Sequence, residues 1–426
     1  MTDLKGELEM NNSVAVPIIP AIIERHAEDA AFLWLQRNQA VTEPHYDLQD
    51  LIAIDERLAA HLEGLQVAGD YAWQVALAAL EYNEPGEFFV AAWLAIGCLD
   101  GKKIEQVLDL AKAEPDNYQG LISALAWHDI EHSQGLLNSF LQANDHDYLN
   151  LGIHLCAVKR IDPGEALAQA LISKNEQLVS RTLKAIGELG RKDLLSQLTA
   201  LCSSDHPQHR FWANWSSLLL GEYTSIEYLK FHVINQSEYA LVALQLVVRV
   251  LPADELRNLL QQLAQQPQTL RMAMQGAGIS GDPFWVPGIL KYMQQPELAR
   301  ICGEAFAMIA GVDLSYQNLD MDAPQGFESG PTENPEDDDV SLDPDDDLPW
   351  PNPLLVENWW QQNAQQFSAG QRYLCGSLIN EASCKHVLLT GYQRQRSGAA
   401  LELALMGLSF FETRAKGKLQ QQLLAQ

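Results

Sequence analysis

A weak repeat of about thirty residues runs through the middle of this chain and restricts its fold more than any other feature. In the segment 178–198, LVSRTLKAIGELGRKDLLSQL, an apolar stripe at helical spacing ends at Gly187-Glu188-Leu189-Gly190. A short basic turn follows, and a second stripe begins at Leu194. The pattern recurs at 93–108, with Gly97 and Gly101 in the turn, at 151–171, with Pro163-Gly164, and at 211–229, with Gly221. It is looser at 121–137 and 241–259. The second-stripe anchors Val107, Leu136, Leu167, Leu195, Ile226, Leu256 and Ile289 lie about 28 to 33 residues apart, the spacing of stacked helical hairpins. One hairpin cannot bury its apolar face alone, so neighbours share a core. The expectation is an all-α chain, a HEAT-like α-solenoid with an N-terminal helical cap and a C-terminal helical appendage after an acidic linker.

Leu, Ala, Gln and Glu dominate and alternating apolar runs are few, which favours helix over strand. No uncharged apolar stretch reaches the about 18 residues of a membrane span, and the start MTDLKGELEMNNS lacks the order of a signal peptide. The six cysteines are scattered among apolar neighbours and read as reduced core residues of a cytoplasmic protein. A net charge of −28 argues against nucleic-acid binding, because phosphate recognition needs a basic stripe. Stacked hairpins usually bind other proteins, so the expected partner is a protein, with no nucleic acid, no membrane and no cofactor.

The charge is uneven. Lys and Arg are missing between Arg300 and Arg372, and acidic residues crowd into ENPEDDDVSLDPDDD at 333–347 among many prolines. Such a stretch has little to bury against the entropy of ordering and reads as an extended, solvated connector. The expected parts are an N-terminal cap at 15–80, a repeat array at 81–312, the acidic linker at 313–352 and a helical unit at 353–426. Helices are expected at 22–36, at 48–65 with Asp47 as N-cap, at 354–367, at 371–389 and at 399–411.

Matches to chemical motifs fall in poor contexts. His128-Asp129-Ile130-Glu131-His132 fits H-x-x-E-H, which on one helix would set two imidazoles on a zinc ion with the Glu as base. The repeat places it at an inter-helix turn. Gly276 to Gly281 fits G-x-G-x-x-G, yet a helical pattern precedes it and Asp282-Pro283 follows, so it reads as a glycine-rich turn. Asp55-Glu56-Arg57 with His61 reads as surface pairs on a helix. Neither catalytic nor metal-binding residues are expected.

Several segments, in order along nearly the whole chain, resemble an uncharacterised proteobacterial HEAT-like repeat family. They are 28–34 (EDAAFLW), 44–46 (PHY), 55–65 (DERLAAHLEGL), 303–314 (GEAFAMIAGVDL), 342–351 (LDPDDDLPWP) and 391–405 (GYQRQRSGAALELAL). Members of that family are often encoded beside type VI secretion spike and PAAR-type tip genes. The resemblance implies an adaptor or chaperone for a spike, tip or effector protein. Two alternatives stay open: an immunity protein that occludes a toxin, and a metal-dependent hydrolase using His128, Glu131 and His132. By analogy with similar arrays, the second helix of each hairpin is expected to face the partner. Arg191, Lys192 and Arg257 are its candidate contacts, and Trp359 and Trp360 are candidate anchors in the C-terminal unit.

Overall fold

The computed structural model describes residues 18–327, 330 and 343–425. Helix makes up 71% of the described residues, and one hairpin of two-residue strands is the only sheet among them, so the fold is all-α and helical-repeat-like. In chain order the helices are α1 (Pro20–Ala40), α2 (Leu48–Ala68), α3 (Asp70–Ala79), α4 (Pro85–Gly97), α5 (Gly101–Ala111), α6 (Pro115–Trp127), α7 (Ile130–Leu141), α8 (His146–Lys159), α9 (Ala166–Leu171), α10 (Glu176–Glu188) and α11 (Leu195–Leu201). They continue with α12 (Pro207–Leu219), α13 (Ile226–Ile234), α14 (Ala240–Val250), α15 (Ala253–Ala264), α16 (Pro267–Ser280), α17 (Val286–Tyr292), α18 (Pro296–Ala310), α19 (Pro353–Asn363), α20 (Glu381–Thr390), α21 (Gln393–Leu405) and α22 (Gly417–Leu424). Strands β1 (Tyr373–Leu374) and β2 (Ser377–Leu378) pair antiparallel. Among the described residues, no helix is long and apolar enough to cross a membrane.

Local chemistry explains the regular punctuation. Pro at the first turn opens α4, α6, α12, α16 and α18, where its missing N–H costs nothing. The first helices α10, α12 and α16 are followed by Gly190, Gly221 and Gly281 at positive φ, a conformation that glycine adopts without strain. Each of these three glycines leads into a single 3-10 turn, at Lys192–Leu194, Tyr223–Ser225 and Pro283–Trp285, before the second helix starts. The seven expected anchors lie in α5, α7, α9, α11, α13, α15 and α17, one in each. Val107, Leu167, Leu256 and Ile289 are buried, while Leu136, Leu195 and Ile226 are half-buried.

The chain divides into two compact units. One comprises the chain up to Gln36 and Glu56–His128; the other comprises Arg37–Asp55 and Asp129–Gln426. In the first, α4 packs on α3, α5 and α6. Its core is aromatic: Trp34 stacks on Phe89 at 5.5 Å, Phe89 meets Trp127 edge-on, and the Trp34 indole N–H donates to Ser123 Oγ at 2.8 Å. In the second unit the even-numbered helices form one continuous layer, α8 on α10, α10 on α12, α12 on α14, α14 on α16 and α16 on α18. The odd-numbered helices pack beside it, α13 against α12 and α14, α15 against α16, and α17 against α18. One apolar cluster runs from Phe211 through Leu244, Leu260 and Ile289 to Phe306 and Val356.

These units differ from the division expected at 81, 313 and 353. The C-terminal helices belong to the same unit as the array, and α21 packs on α14. The acidic connector also needs correction where it is described. Leu314, Leu319 and Leu348 are buried in the main cluster. The Met321 N–H donates to the Trp350 carbonyl at 2.8 Å, and the Asn352 N–H to the Leu319 carbonyl at 2.7 Å. Asp345 is buried and receives both terminal nitrogens of Arg271, while Asp343 pairs with Arg300. Fixed guanidinium partners thus hold the 343–347 end against the array, where composition alone suggested a solvated strip. Residues 333–342 of the acidic block lie outside the described residues.

Smaller corrections have equally local causes. Only the second half of the expected helix 371–389 is helical: its first half holds the β1–β2 hairpin, and α20 follows, started by a capping box of Asn380 and Ser383. The last long helix begins at Gln393, earlier than expected, because its polar residues Gln393 and Arg396 are buried. Asp55 is no surface residue: it accepts from Arg37 Nε at 2.8 Å and from the Gly417 N–H at 2.7 Å. Asp47 caps α2 as expected, accepting from the N–H groups of Gln49 and Asp50. Cys156, Cys302 and Cys384 are buried, whereas Cys98 is exposed.

Candidate functional site

Arginine–carboxylate pairs fasten the C-terminal segment across the even-helix layer. Arg249 of α14 faces Glu402 of α21, and Arg372 reaches the same carboxylate. Arg394 of α21 donates to Glu304 of α18 at 3.1 Å, and its Nε donates to the Thr42 carbonyl. Arg160, at the end of α8, donates to the Phe410 carbonyl and pairs with Glu412. Burial pushes the Glu304 carboxyl above its ordinary range, and the neighbouring Arg394 opposes that shift.

This arrangement leaves a cleft of about 650 Å³ between the layer and α21. Its floor is a single face of α16, formed by Gln268, Arg271, Met272, Gln275 and Ile279, at the spacing that keeps side chains on one side of a helix. Leu241 and Gln245 of α14 flank it on one side, Ile301 and Glu304 of α18 on the other. Gln393, Arg394 and Ser397 of α21, together with Arg414, supply the opposite wall. The cleft can bury part of an apolar group and satisfy several amide or carboxylate contacts. The spacing along 268–279 was legible as a helix face. That it faces a cleft was not, because the wall comes from residues more than a hundred positions away.

The residues singled out in the sequence lie elsewhere. Arg191 is half-buried and engaged by Asp162 and Asp193 of its own chain. This corrects the expectation of an exposed contact, since two carboxylates at a turn already take its guanidinium. Lys192 is exposed and lines a separate recess of about 420 Å³ with Arg160 and Glu188. Arg257 is half-buried, lies over the Phe284 ring and pairs with Asp254 at 3.1 Å. Trp359 and Trp360 of α19 are half-buried and meet Phe306 edge-on at 5.7 and 6.1 Å. They pack the small C-terminal helix onto the core. The five therefore sit on three separate elements, each with partners of its own.

The chemical motifs take definite places in the fold. In the H-x-x-E-H match, His128 lies just past α6, stacks on Trp93 with ring centroids 5.2 Å apart, and places Nε2 3.0 Å from the Trp93 carbonyl. Glu131 and His132 fall in the first turn of α7, so the motif straddles a turn, as the repeat register requires. The glycine run is a correction. Gly276 and Gly278 are inside α16, and only Gly281 is at the turn. A Cβ on Gly278 would stand 2.6 Å from Ala305 Cα, so this glycine lets α16 and α18 approach closely.

Compared with known families and with curated proteins, the chain matches no family model and no curated protein.

Proposed function

We propose that this chain is a non-enzymatic, cytoplasmic protein-binding scaffold that acts as a type VI secretion accessory, an adaptor or chaperone for a spike, PAAR-type tip or effector protein. The observation that carries the binding part is the cleft on the even-helix layer. Its floor offers amides and apolar side chains side by side, the surface chemistry of polypeptide recognition. The repeat supports the same reading, because stacked helix pairs build long surfaces from many small contributions. The secretion part rests on the sequence resemblance. The engagement of His128 by Trp93 favours a structural role for the H-x-x-E-H segment over zinc hydrolysis.

The test is co-expression of the tagged full-length chain with the products of its neighbouring genes. Stoichiometric co-purification of a spike, tip or effector protein is expected. A chain that elutes alone under these conditions, at low and physiological salt, overturns the reading.

A further inference from the structure

The cleft walled by α14, α16, α18 and α21 carries more information than its volume. Three of its side-chain amides, those of Gln236, Gln268 and Gln275, make no hydrogen bond to other described residues. The Arg414 guanidinium likewise makes no ion pair among the described residues. The other two arginines of the cleft are engaged, Arg271 by Asp345 and Arg394 by Glu304. Between Gln268 and Gln275 on α16 lies half-buried Met272, and Leu241 of α14, 53% exposed, lines the same cleft.

We propose that this cleft receives an extended peptide segment of a protein partner, one that presents an apolar side chain beside a carboxylate. A primary amide has both donor and acceptor capacity, as a peptide group does. Gln268 and Gln275 are seven residues apart on one helix, which is about 10.5 Å along its axis. An extended chain covers that distance in about three residues. The two amides therefore reach peptide groups at either end of a short extended stretch. The side chain between them falls on Met272 and Leu241. Arg414 selects a carboxylate: with Arg271 and Arg394 already neutralised by carboxylates, it is the cleft's surplus charge. Elsewhere the chain is strongly acidic, with a net charge of −28, so an acidic segment is repelled from most of the surface and attracted here. This proposal rests on the protein-binding reading and names the chemistry of what is bound.

The test uses the full-length chain with its methionine methyl groups labelled for NMR, the Met272 signal being assigned through Met272→Leu. Three probes are added separately: a capped octapeptide of alternating leucine and glutamate, its leucine–lysine counterpart, and free glutamate. The acidic octapeptide is expected to shift the Met272 signal saturably. Gln275→Ala combined with Arg414→Gln is expected to weaken that binding at least tenfold with an unchanged thermal midpoint. The proposal is overturned if the acidic octapeptide leaves Met272 unmoved, if the lysine peptide or free glutamate binds equally well, or if the double variant binds like wild type. Partner co-purification by the wild-type chain separates the two failures. If the partner is retained while the octapeptide fails, only the cleft assignment falls. If the partner is lost from the wild type, the protein-binding reading falls as well.

Discussion

Arg249 on α14 and Glu402 on α21 form an ion pair at 3.1 Å with side chains only 1% and 5% exposed, 153 residues apart in the chain. Arg372 closes on the same carboxylate. Such a buried pair contributes little against a well-packed apolar alternative, but removing one partner strands the other charge. Glu402→Gln is therefore expected to cost about 3–5 kcal/mol, seen as a lower urea midpoint. The double change Arg249→Met with Glu402→Leu should recover part of that loss. A Glu402→Gln chain as stable as wild type would contradict the role of this pair.

The Arg271–Asp345 bridge makes a similar prediction at the end of the acidic segment. Asp345→Asn keeps the shape and removes the charge-assisted character of two hydrogen bonds, so it should cost about 1.5–3 kcal/mol. Hydrogen exchange should accelerate at the Leu348 and Asn352 amides, both of which donate to backbone carbonyls. Unchanged exchange there would mean that the ion pair does not hold the segment in place.

His154 predicts a pH dependence. Burial, reinforced by the nearby Arg181 and Lys184 charges, holds its imidazole well below the ordinary 6.5. Arg181 Nε donates to its Nδ1 at 3.1 Å, which requires that nitrogen to be unprotonated. The unfolded chain takes up a proton near 6.5 and the folded chain does not, so this contribution is complete above about pH 6.5. It is lost as the pH falls towards the depressed folded value, by up to about 1.4 kcal/mol per unit. Urea midpoints measured from pH 7.5 down to 5 should decline, and His154→Gln should flatten the part of the slope due to this residue. Equal slopes in the two proteins would contradict the assignment.

Two glycines give a matched pair. Gly278→Ala forces a methyl group against Ala305 and should cost about 1–3 kcal/mol, whereas a Cβ on Gly288 of α17 meets nothing within 4 Å. Gly288→Ala should be neutral or stabilising by up to about 1 kcal/mol. Thermal melts of the two variants decide it, and a reversed order would remove the close-packing role given to Gly278.

The repeat was legible because its signals are local. Anchors such as Val107, Leu167 and Ile289, glycines such as Gly190 and Gly221, and the Asp47 cap all act within a few residues of themselves. What escaped depends on distant partners. Asp343 and Asp345 look solvated until Arg300 and Arg271 are brought to them from 43 and 74 residues away. Gln393 and Arg396 look like a polar face, yet Arg396 donates to the Leu388 carbonyl in a buried site. Asp55 is similar, since its partners Arg37 and Gly417 lie in separate parts of the chain. The cleft was missed for the same reason, because its wall is this folded-back segment.

On the proposed function, the even-helix cleft holds a protein partner. The most direct measurement is site-specific photo-crosslinking from position 275 in cells that also express the products of the neighbouring genes, with position 197, on the exposed side of α11, as the comparison. A crosslinked adduct is expected from position 275 and none from position 197. An adduct from position 197 with none from position 275 would contradict it and return the binding face to the second helices.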